Sequence, residues 1–190
     1  MNTWSFAPSE SLPEQGAFLI TGTTDKQRHH LDSSAMLDRV QGILFDAVET
    51  AGWRLQAWAL FSNHYHLILT AEPDAKSLSS LLENFLETTT AVLNERDGNP
   101  RRQVWGEVLE SRIAFLTGYY TRLKYVHQNA VFHRAVHVAS EYPWCSAGWF
   151  ETTAPLSFVE RVERSNADLL DVPDEYKVLK VTPKNLGVPR

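Results

Sequence analysis

The 190-residue sequence predicts a single α+β domain in which helices pack on one face of a ferredoxin-like antiparallel sheet. Two stretches repeat apolar residues at helical spacing, and the shorter apolar stretches around them are typical of strands. The predicted order is strand, helix, strand, strand, helix, strand, helix, which is characteristic of a ferredoxin-like sandwich. The length suits one ordinary domain, so we expect a single active site.

Each element is predicted from its periodicity and from the capping or turn residues that border it. The first helix has Asp32 or Ser33 as N-cap and Gly52 as its stop, and Thr117 is the predicted cap of the third helix. In chain order the sequence predicts a strand at 17–23, a helix at 34–51, strands at 53–61 and 64–70, a helix at 78–95, one or two strands within 103–115, and a helix from 117 to 130 or 131.

The two ends of the chain differ from this core. Residues 1–16 are polar and contain two prolines, which predicts a flexible N-terminal arm. Residues 17–150 form the predicted folded domain. Beyond Pro155 the sequence is charged and loses periodicity, so 151–190 is predicted to be a C-terminal extension with a short helix and an extended tail.

The composition, 43% hydrophobic and 22% charged, is that of a globular enzyme or binding domain. No apolar run approaches the roughly 20 residues that span a bilayer, and the N-terminus lacks the basic and apolar regions of a signal peptide. We therefore expect a cytoplasmic protein without membrane partners. Cys145 is the only cysteine, which excludes an internal disulfide and a cysteine-rich zinc site.

The charge is unevenly distributed. The formal net charge is -5 at pH 7, which does not favour nucleic-acid binding. Residues 96–134, however, hold 7 basic and 3 acidic side chains, a local charge of +4. Such a segment is either a solvated surface or an electrostatic contact for phosphate groups.

A His-x-His pair lies at the start of one predicted strand. Because side chains at i and i+2 of a strand point to the same face, His64 and His66 project together and Tyr65 points to the other side. The apolar face of this strand predicts the core side, so the histidines are expected on the less buried face. Two adjacent imidazoles are a candidate metal-binding pair.

The third predicted helix carries a candidate nucleophile. Its core stripe contains Tyr119 and Leu123, while Arg122, Tyr125 and Asn129 lie on the polar side, one turn apart from one another. A tyrosine beside an arginine can attack a phosphodiester if its proton is removed or its pKa, ordinarily about 10, is lowered. The alternative is a structural tyrosine with its hydroxyl in water.

Five segments together resemble a known family. The segments AWALFSNHYHLIL, SLSSLLENF, VWGEVLESRI, YVHQNAV and SEYPWCSAGWF occur in the order and spacing of the HUH single-tyrosine transposases, and especially of the REP-associated tyrosine transposases. The resemblance covers about residues 17–150 and implies that they form the catalytic domain. His64-Tyr65-His66 matches the His-hydrophobe-His metal motif, and Tyr125 to Asn129 matches the Tyr-x-x-x-Asn motif.

This resemblance implies that the protein cleaves and rejoins single-stranded or hairpin DNA of repetitive palindromic elements. Tyr125 is the implied nucleophile and would form a 5'-phosphotyrosine. The implied ligands are His64, His66 and the Asn129 side-chain oxygen, which would hold a divalent metal, Mg²⁺ or Mn²⁺. A monomer is favoured, although the wider family also forms dimers.

Five basic residues are expected to contact the DNA backbone, each with a surface charge as the alternative interpretation. They are Arg101, Arg102, Arg112, Arg122 and Lys124. The remaining histidines show no partner pattern and are not expected to be primary ligands; they are His29, His30, His127, His133 and His137.

The chain departs from the family pattern at Ser62 and Ala130, where the family usually has proline. Neither change removes a reacting group. Two alternative functions stay open at this point: a ferredoxin-like DNA- or RNA-binding domain that has lost catalysis, and a metal-dependent phosphodiesterase that uses water, with Tyr125 structural.

Overall fold

The structure is a computed structural model that describes residues 4–167, 170 and 172–183. Within this part of the chain, four strands and five α-helices alternate, with short 3₁₀ turns at Asp25–Gln27 and Ala139–Glu141. The elements are β1 (Ala17–Thr24), α1 (Ser34–Thr50), β2 (Trp53–Leu60), β3 (His64–Ala71), α2 (Leu78–Arg96), β4 (Trp105–Ile113), α3 (Leu116–Phe132), α4 (Ala147–Thr153) and α5 (Leu156–Glu163).

The strands form one antiparallel sheet in the order β2-β3-β1-β4. This order, with the chain path β1-α1-β2-β3-α2-β4, confirms the predicted ferredoxin-like α+β fold. It places β3 in the interior of the sheet, paired on one side with β2 and on the other with β1. The predicted histidine strand is therefore held from both sides.

The two faces of β3 meet different helices. The ring of Tyr65 contacts the ring of Phe85 on α2, while the ring of His66 contacts the ring of Tyr125 on α3. Because neighbouring strand residues point to opposite faces, α2 and α3 lie on opposite sides of the sheet. α1 packs beside α2, and α3 covers the histidine face, so the helices lie on both faces of the sheet and not, as predicted, on one.

The helix ends confirm some of the predicted caps. The Ser33 side chain accepts a hydrogen bond from the Met36 backbone N–H, as predicted for an N-cap. Gly52 follows the C-cap residue of α1 and has φ +74°, a conformation that favours glycine and ends the helix. The prediction for α3 is wrong. Phe115 occupies its N-cap position without a side-chain cap bond, and Thr117 lies inside the first turn, where its carbonyl accepts a hydrogen bond from Thr121.

The described residues before β1 and after α5 contact the domain. In the N-terminal segment, Trp4 is buried and its indole N–H donates to the Leu55 carbonyl at 3.2 Å. The C-terminal tail returns across the end of β3, where the Asn63 side chain donates to the Lys177 carbonyl at 3.0 Å. None of the helices in the described part of the chain is long and apolar enough to cross a membrane.

Candidate active site

The two histidines of β3 are deeply buried. His64 is 1% exposed and His66 is fully buried, so the expectation that they lie on a less buried face is wrong. The reason is that α3 covers this face and the ring of Tyr176, from the tail, packs 4.6 Å from the ring of His64. Sequence alternation places the histidines on the correct face but does not reveal what covers them.

Contacts at Nδ1 fix the orientation of both imidazoles. His64 Nδ1 lies 3.0 Å from the Asn63 side-chain oxygen, and His66 Nδ1 lies 2.9 Å from the hydroxyl of Thr21, its cross-strand partner. A ring that donates from Nδ1 keeps its lone pair on Nε2, and metal-binding histidines are commonly held in this way. Both Nε2 atoms face the space between the sheet and α3.

Tyr125 and Asn129 approach this space from α3. The Tyr125 hydroxyl lies 3.4 Å from His66 Nε2, and the two rings meet edge to face at 5.2 Å. Asn129 follows one helical turn later and is 1% exposed. The structure therefore brings together all four residues predicted to form the metal and tyrosine site.

A carboxylate from the tail, Asp174, lies at the centre of the cluster. One of its oxygens accepts hydrogen bonds from the Tyr125 hydroxyl at 2.7 Å and from the Asn129 amide at 2.5 Å. The other accepts from His133 Nε2 at 2.9 Å and lies 3.4 Å from His66 Nε2 and 3.5 Å from His64 Nε2. The predicted site residues thus share one partner that sequence reasoning missed.

The electrostatics of the cluster follow from burial. Burial opposes ionisation of Asp174, but hydrogen bonds from His133 and His66 outweigh it and hold the pKa of this carboxyl well below its usual range. Burial raises the pKa of Tyr125 far above its usual value, and the negative charge of Asp174 raises it further. Burial, followed by the neighbouring His66, lowers the pKa of His64 well below its usual value, which leaves its lone pair free at neutral pH.

His133 also lies in the cluster, although no partner pattern was predicted for it from the sequence. His64, His133 and Asp174 offer ligand atoms that all lie within 4.8 Å of one another, a set able to hold a metal ion. The sequence did contain a signal: Tyr125, Asn129 and His133 are spaced by four residues and share one face of the helix. In contrast, His127 points away as expected and packs against the ring of Phe150.

Two buried atoms at the site indicate that its polar groups are incompletely satisfied. Among the described residues, neither His64 Nε2 nor the Asn129 side-chain oxygen has a hydrogen-bond partner. Such atoms are costly when buried unless an ion, a water molecule or a ligand pairs with them. An imidazole nitrogen and an amide oxygen are both metal ligands, so the residues present fit a divalent cation.

The five predicted DNA-contacting residues are not brought together. Arg102 binds Asp97 at 2.6 Å, Arg112 donates to the Gln15 carbonyl, and Arg101 is exposed. The other two lie on α3. Arg122 donates to the Gly118 carbonyl at 3.2 Å, and Lys124 donates to the carbonyls of Glu163 and Ser165, which attaches α3 to the chain after α5.

A cavity of about 340 Å³ opens beside the tyrosine. It lies between α3 and the tail, and Phe132, which is 65% exposed, stands at its edge. The lining includes Tyr125, Gln128, Asn129, Leu170, Val172 and Asp174. The nucleophile candidate therefore borders an open space as well as the buried cluster.

Comparisons with known proteins identify the family. A family model described as transposase IS200 like matches residues 20–128, which is more than half of the chain. Among solved structures, a REP-associated tyrosine transposase bound to a REP hairpin is similar, with a TM-score of 0.63 and 15% identity, covering 92% of this chain and 96% of that chain. A protein from Deinococcus radiodurans R1, provisionally described as a transposase, gives a TM-score of 0.43 and 16% identity over 56% of this chain and 85% of its own. None of the curated proteins matches. The chain belongs to the IS200-like transposase family.

Proposed function

We propose that this protein cleaves and rejoins single-stranded or hairpin DNA, with the Tyr125 hydroxyl as the nucleophile. Membership of the transposase family assigns the chain to DNA transposition and DNA binding. The observation that supports Tyr125 as the nucleophile is its position: Tyr125 lines the cavity, and its hydroxyl lies 3.4 Å from His66 Nε2.

The proposed reaction exchanges one phosphoester bond for another. The Tyr125 oxygen forms a bond to the scissile phosphorus, the bond from phosphorus to the 3'-oxygen breaks, and the DNA stays attached as a 5'-phosphotyrosine. Attack by a second 3'-hydroxyl then reverses the step and rejoins the strand. Since the bond energy is retained in the link, no nucleotide cofactor is needed.

The Tyr125 hydroxyl must lose its proton for this attack. Burial and the charge of Asp174 raise its pKa, so the DNA-free protein holds the tyrosine protonated and inactive. The hydroxyl donates to Asp174 at 2.7 Å, which fixes the direction of its O–H bond. Ionisation of the Tyr125 hydroxyl therefore requires a change in its hydrogen bond to Asp174.

We propose that His64, His66 and the Asn129 side-chain oxygen hold a divalent metal, Mg²⁺ or Mn²⁺. The unpartnered His64 Nε2 and Asn129 oxygen support this assignment within the described part of the chain. When bound, the cation would polarise the scissile phosphate and stabilise negative charge on the attacking oxygen. Asn63 and Thr21 hold the two imidazoles in the orientation that presents Nε2.

A scissile phosphate and Asp174 of the C-terminal tail would occupy the same position beside Tyr125. A phosphodiester that reaches Tyr125 brings a negative charge to the position where Asp174 now accepts two hydrogen bonds. Two anions side by side repel strongly in a buried site. We therefore propose that Asp174 leaves the Tyr125 hydroxyl when the scissile phosphate enters.

A covalent-trapping assay tests the proposed function. The protein is incubated with end-labelled hairpin DNA and Mn²⁺ and then denatured, and a DNA-linked protein band is sought. Tyr125→Phe should abolish the band, while Tyr120→Phe should retain it, because the Tyr120 hydroxyl on the same helix donates to the Glu10 carbonyl instead. Absence of a band from the wild type with varied hairpins would favour a binding domain that lacks catalysis.

A further inference from the structure

The histidine at the end of α3, His133, has a geometry that its place in the helix does not require. It occupies the C-cap position, its backbone N–H donates to the Asn129 carbonyl, and the chain turns away at Arg134 with φ +57°. Its side chain is only 4% exposed, and its ring packs edge to face on Phe61 at 4.9 Å. The imidazole is therefore directed inward and held rigidly.

Two distances to the Asp174 oxygen match the separation of ligands on one ion. Two atoms that are each about 2.1 Å from a metal lie about 3.0 Å apart at right angles and about 3.4 Å apart at tetrahedral angles. His133 Nε2 lies 2.9 Å from the Asp174 oxygen, and His64 Nε2 lies 3.5 Å from the same oxygen. The two rings are 4.8 Å apart between centroids.

A simple ion pair between His133 and Asp174 does not account for the whole cluster. It satisfies His133, but it leaves His64 Nε2 without a hydrogen-bond partner among the described residues. An unpaired polar atom in a fully buried position is destabilising, and a carboxylate oxygen has no proton to donate to the lone pair on His64 Nε2. A cation shared by His64 and His133 would satisfy both nitrogens.

We propose that His133 is a ligand of the active-site cation, and that this added imidazole makes the site selective for a first-row transition metal over Mg²⁺. Imidazole nitrogens bind the later first-row dications well, whereas Mg²⁺ prefers carboxylate and water oxygens. In the DNA-free protein His133 and Asp174 would join the proposed ligands His64, His66 and Asn129 around the cation, and a phosphate oxygen would take the place of Asp174 when DNA binds. The inference rests on the proposed metal site, but not on the proposed cleavage.

Cobalt binding to the full-length protein, without DNA, tests the inference. Co²⁺ affinity is measured by isothermal titration calorimetry, and the visible absorption of the bound ion reports its ligands directly. We expect His133→Ala to weaken Co²⁺ binding by at least about tenfold and to change the absorption band. His137→Ala, five residues after the helix end, should leave both unchanged.

A second variant separates a ligand from a hydrogen-bond donor. His133→Gln keeps a donor for Asp174 and much of the side-chain volume, yet an amide is a weak ligand for Co²⁺. We expect it to lose Co²⁺ affinity as His133→Ala does, with a melting temperature closer to that of the wild type. Full Co²⁺ affinity in either His133 variant overturns the inference.

Two further measurements compare Mg²⁺ affinity with Co²⁺ and Mn²⁺ affinity and test the variant His64→Ala. Wild-type protein should bind Co²⁺ and Mn²⁺ more tightly than Mg²⁺ by at least about tenfold, and His133→Ala should narrow this difference. If His64→Ala abolishes Co²⁺ binding but His133→Ala does not, the metal site stands without His133. If both abolish binding and no DNA adduct forms, the ligand assignment stands and the proposed cleavage fails.

Discussion

Replacing Asp174 with alanine should lower stability and raise DNA affinity at the same time. In the DNA-free protein this carboxylate accepts hydrogen bonds from Tyr125, Asn129 and His133 at 2.5 to 2.9 Å. Hydrogen bonds to a charged group contribute about 1.5 to 3 kcal/mol each, but bonds that share one acceptor are not additive. Water in the adjacent cavity offsets part of the loss, so we take about 3 kcal/mol for the set.

The expected changes in melting temperature and in DNA affinity both follow from this loss of hydrogen-bond free energy. A loss of about 3 kcal/mol lowers the melting temperature of a chain of this size by about 6 to 12 °C. DNA must displace the same carboxylate from the wild-type protein, so removing it should tighten DNA binding by up to about a hundredfold. Loss of a negative charge beside the phosphate acts in the same direction.

The assay compares Asp174→Ala with Glu175→Ala, because Glu175 is the adjacent, exposed acidic residue and its loss changes the net charge equally. Melting is followed by circular dichroism, and binding by fluorescence anisotropy of a labelled hairpin in EDTA, which removes metal effects. Glu175→Ala should change DNA affinity by no more than about threefold, consistent with the screening of exposed charges. If Asp174→Ala binds the hairpin no more tightly than Glu175→Ala, the tail does not compete with DNA and the reasoning is refuted.

Three further changes test the fold around the site. Burial lowers the pKa of His127 to about 3, so its contribution to stability is complete above pH 6.5 and is lost as pH falls. This residue alone should cost the wild type about 2 kcal/mol between pH 7.5 and 5.0, so His127→Leu should lose about that much less in urea titrations, and an equal loss in both proteins would contradict the assignment. Gly22→Ala would place a methyl group inside the buried Tyr65 ring opposite it on β3, so it should cost about 1 to 3 kcal/mol in urea unfolding; an unchanged midpoint would contradict this packing. The methyl group of Gly118→Ala would lie 3.1 Å from the flexible end of Arg122 and in ordinary contact with Ile113 at 3.9 Å. The change should therefore raise the unfolding free energy by up to about 1 kcal/mol, and a decrease would be the contrary result.

Short-range patterns predicted the parts of the site that lie within one element. Alternation along β3 places His64 and His66 on one face, and a spacing of four residues places Tyr125 and Asn129 on one side of α3. The order of elements also predicted the sheet, because the chain path of a ferredoxin-like sandwich is readable from helical and strand periodicity.

The missed residues depend on geometry that local patterns do not contain. The third helix was predicted to end at Ala130 or Val131, but α3 continues to Phe132, and this extension brings His133 onto the face of Tyr125. Asp174 lies 49 residues after Tyr125 in a segment without periodicity. Its position depends on how the tail crosses β3, which only the tertiary structure reveals.

The most direct test of the central claim locates the DNA on the protein. Wild-type protein trapped with hairpin DNA is digested with nuclease and trypsin, and its peptides are examined by mass spectrometry. The tryptic peptide from Tyr125 to Arg134 contains a single tyrosine, so a nucleotide adduct on it identifies the nucleophile without mutation. We predict the added mass on this peptide, linked through a 5'-phosphate. An adduct on the tryptic peptide from Ile113 to Arg122, which contains Tyr119 and Tyr120, or cleaved DNA without any adduct, would contradict the proposed mechanism.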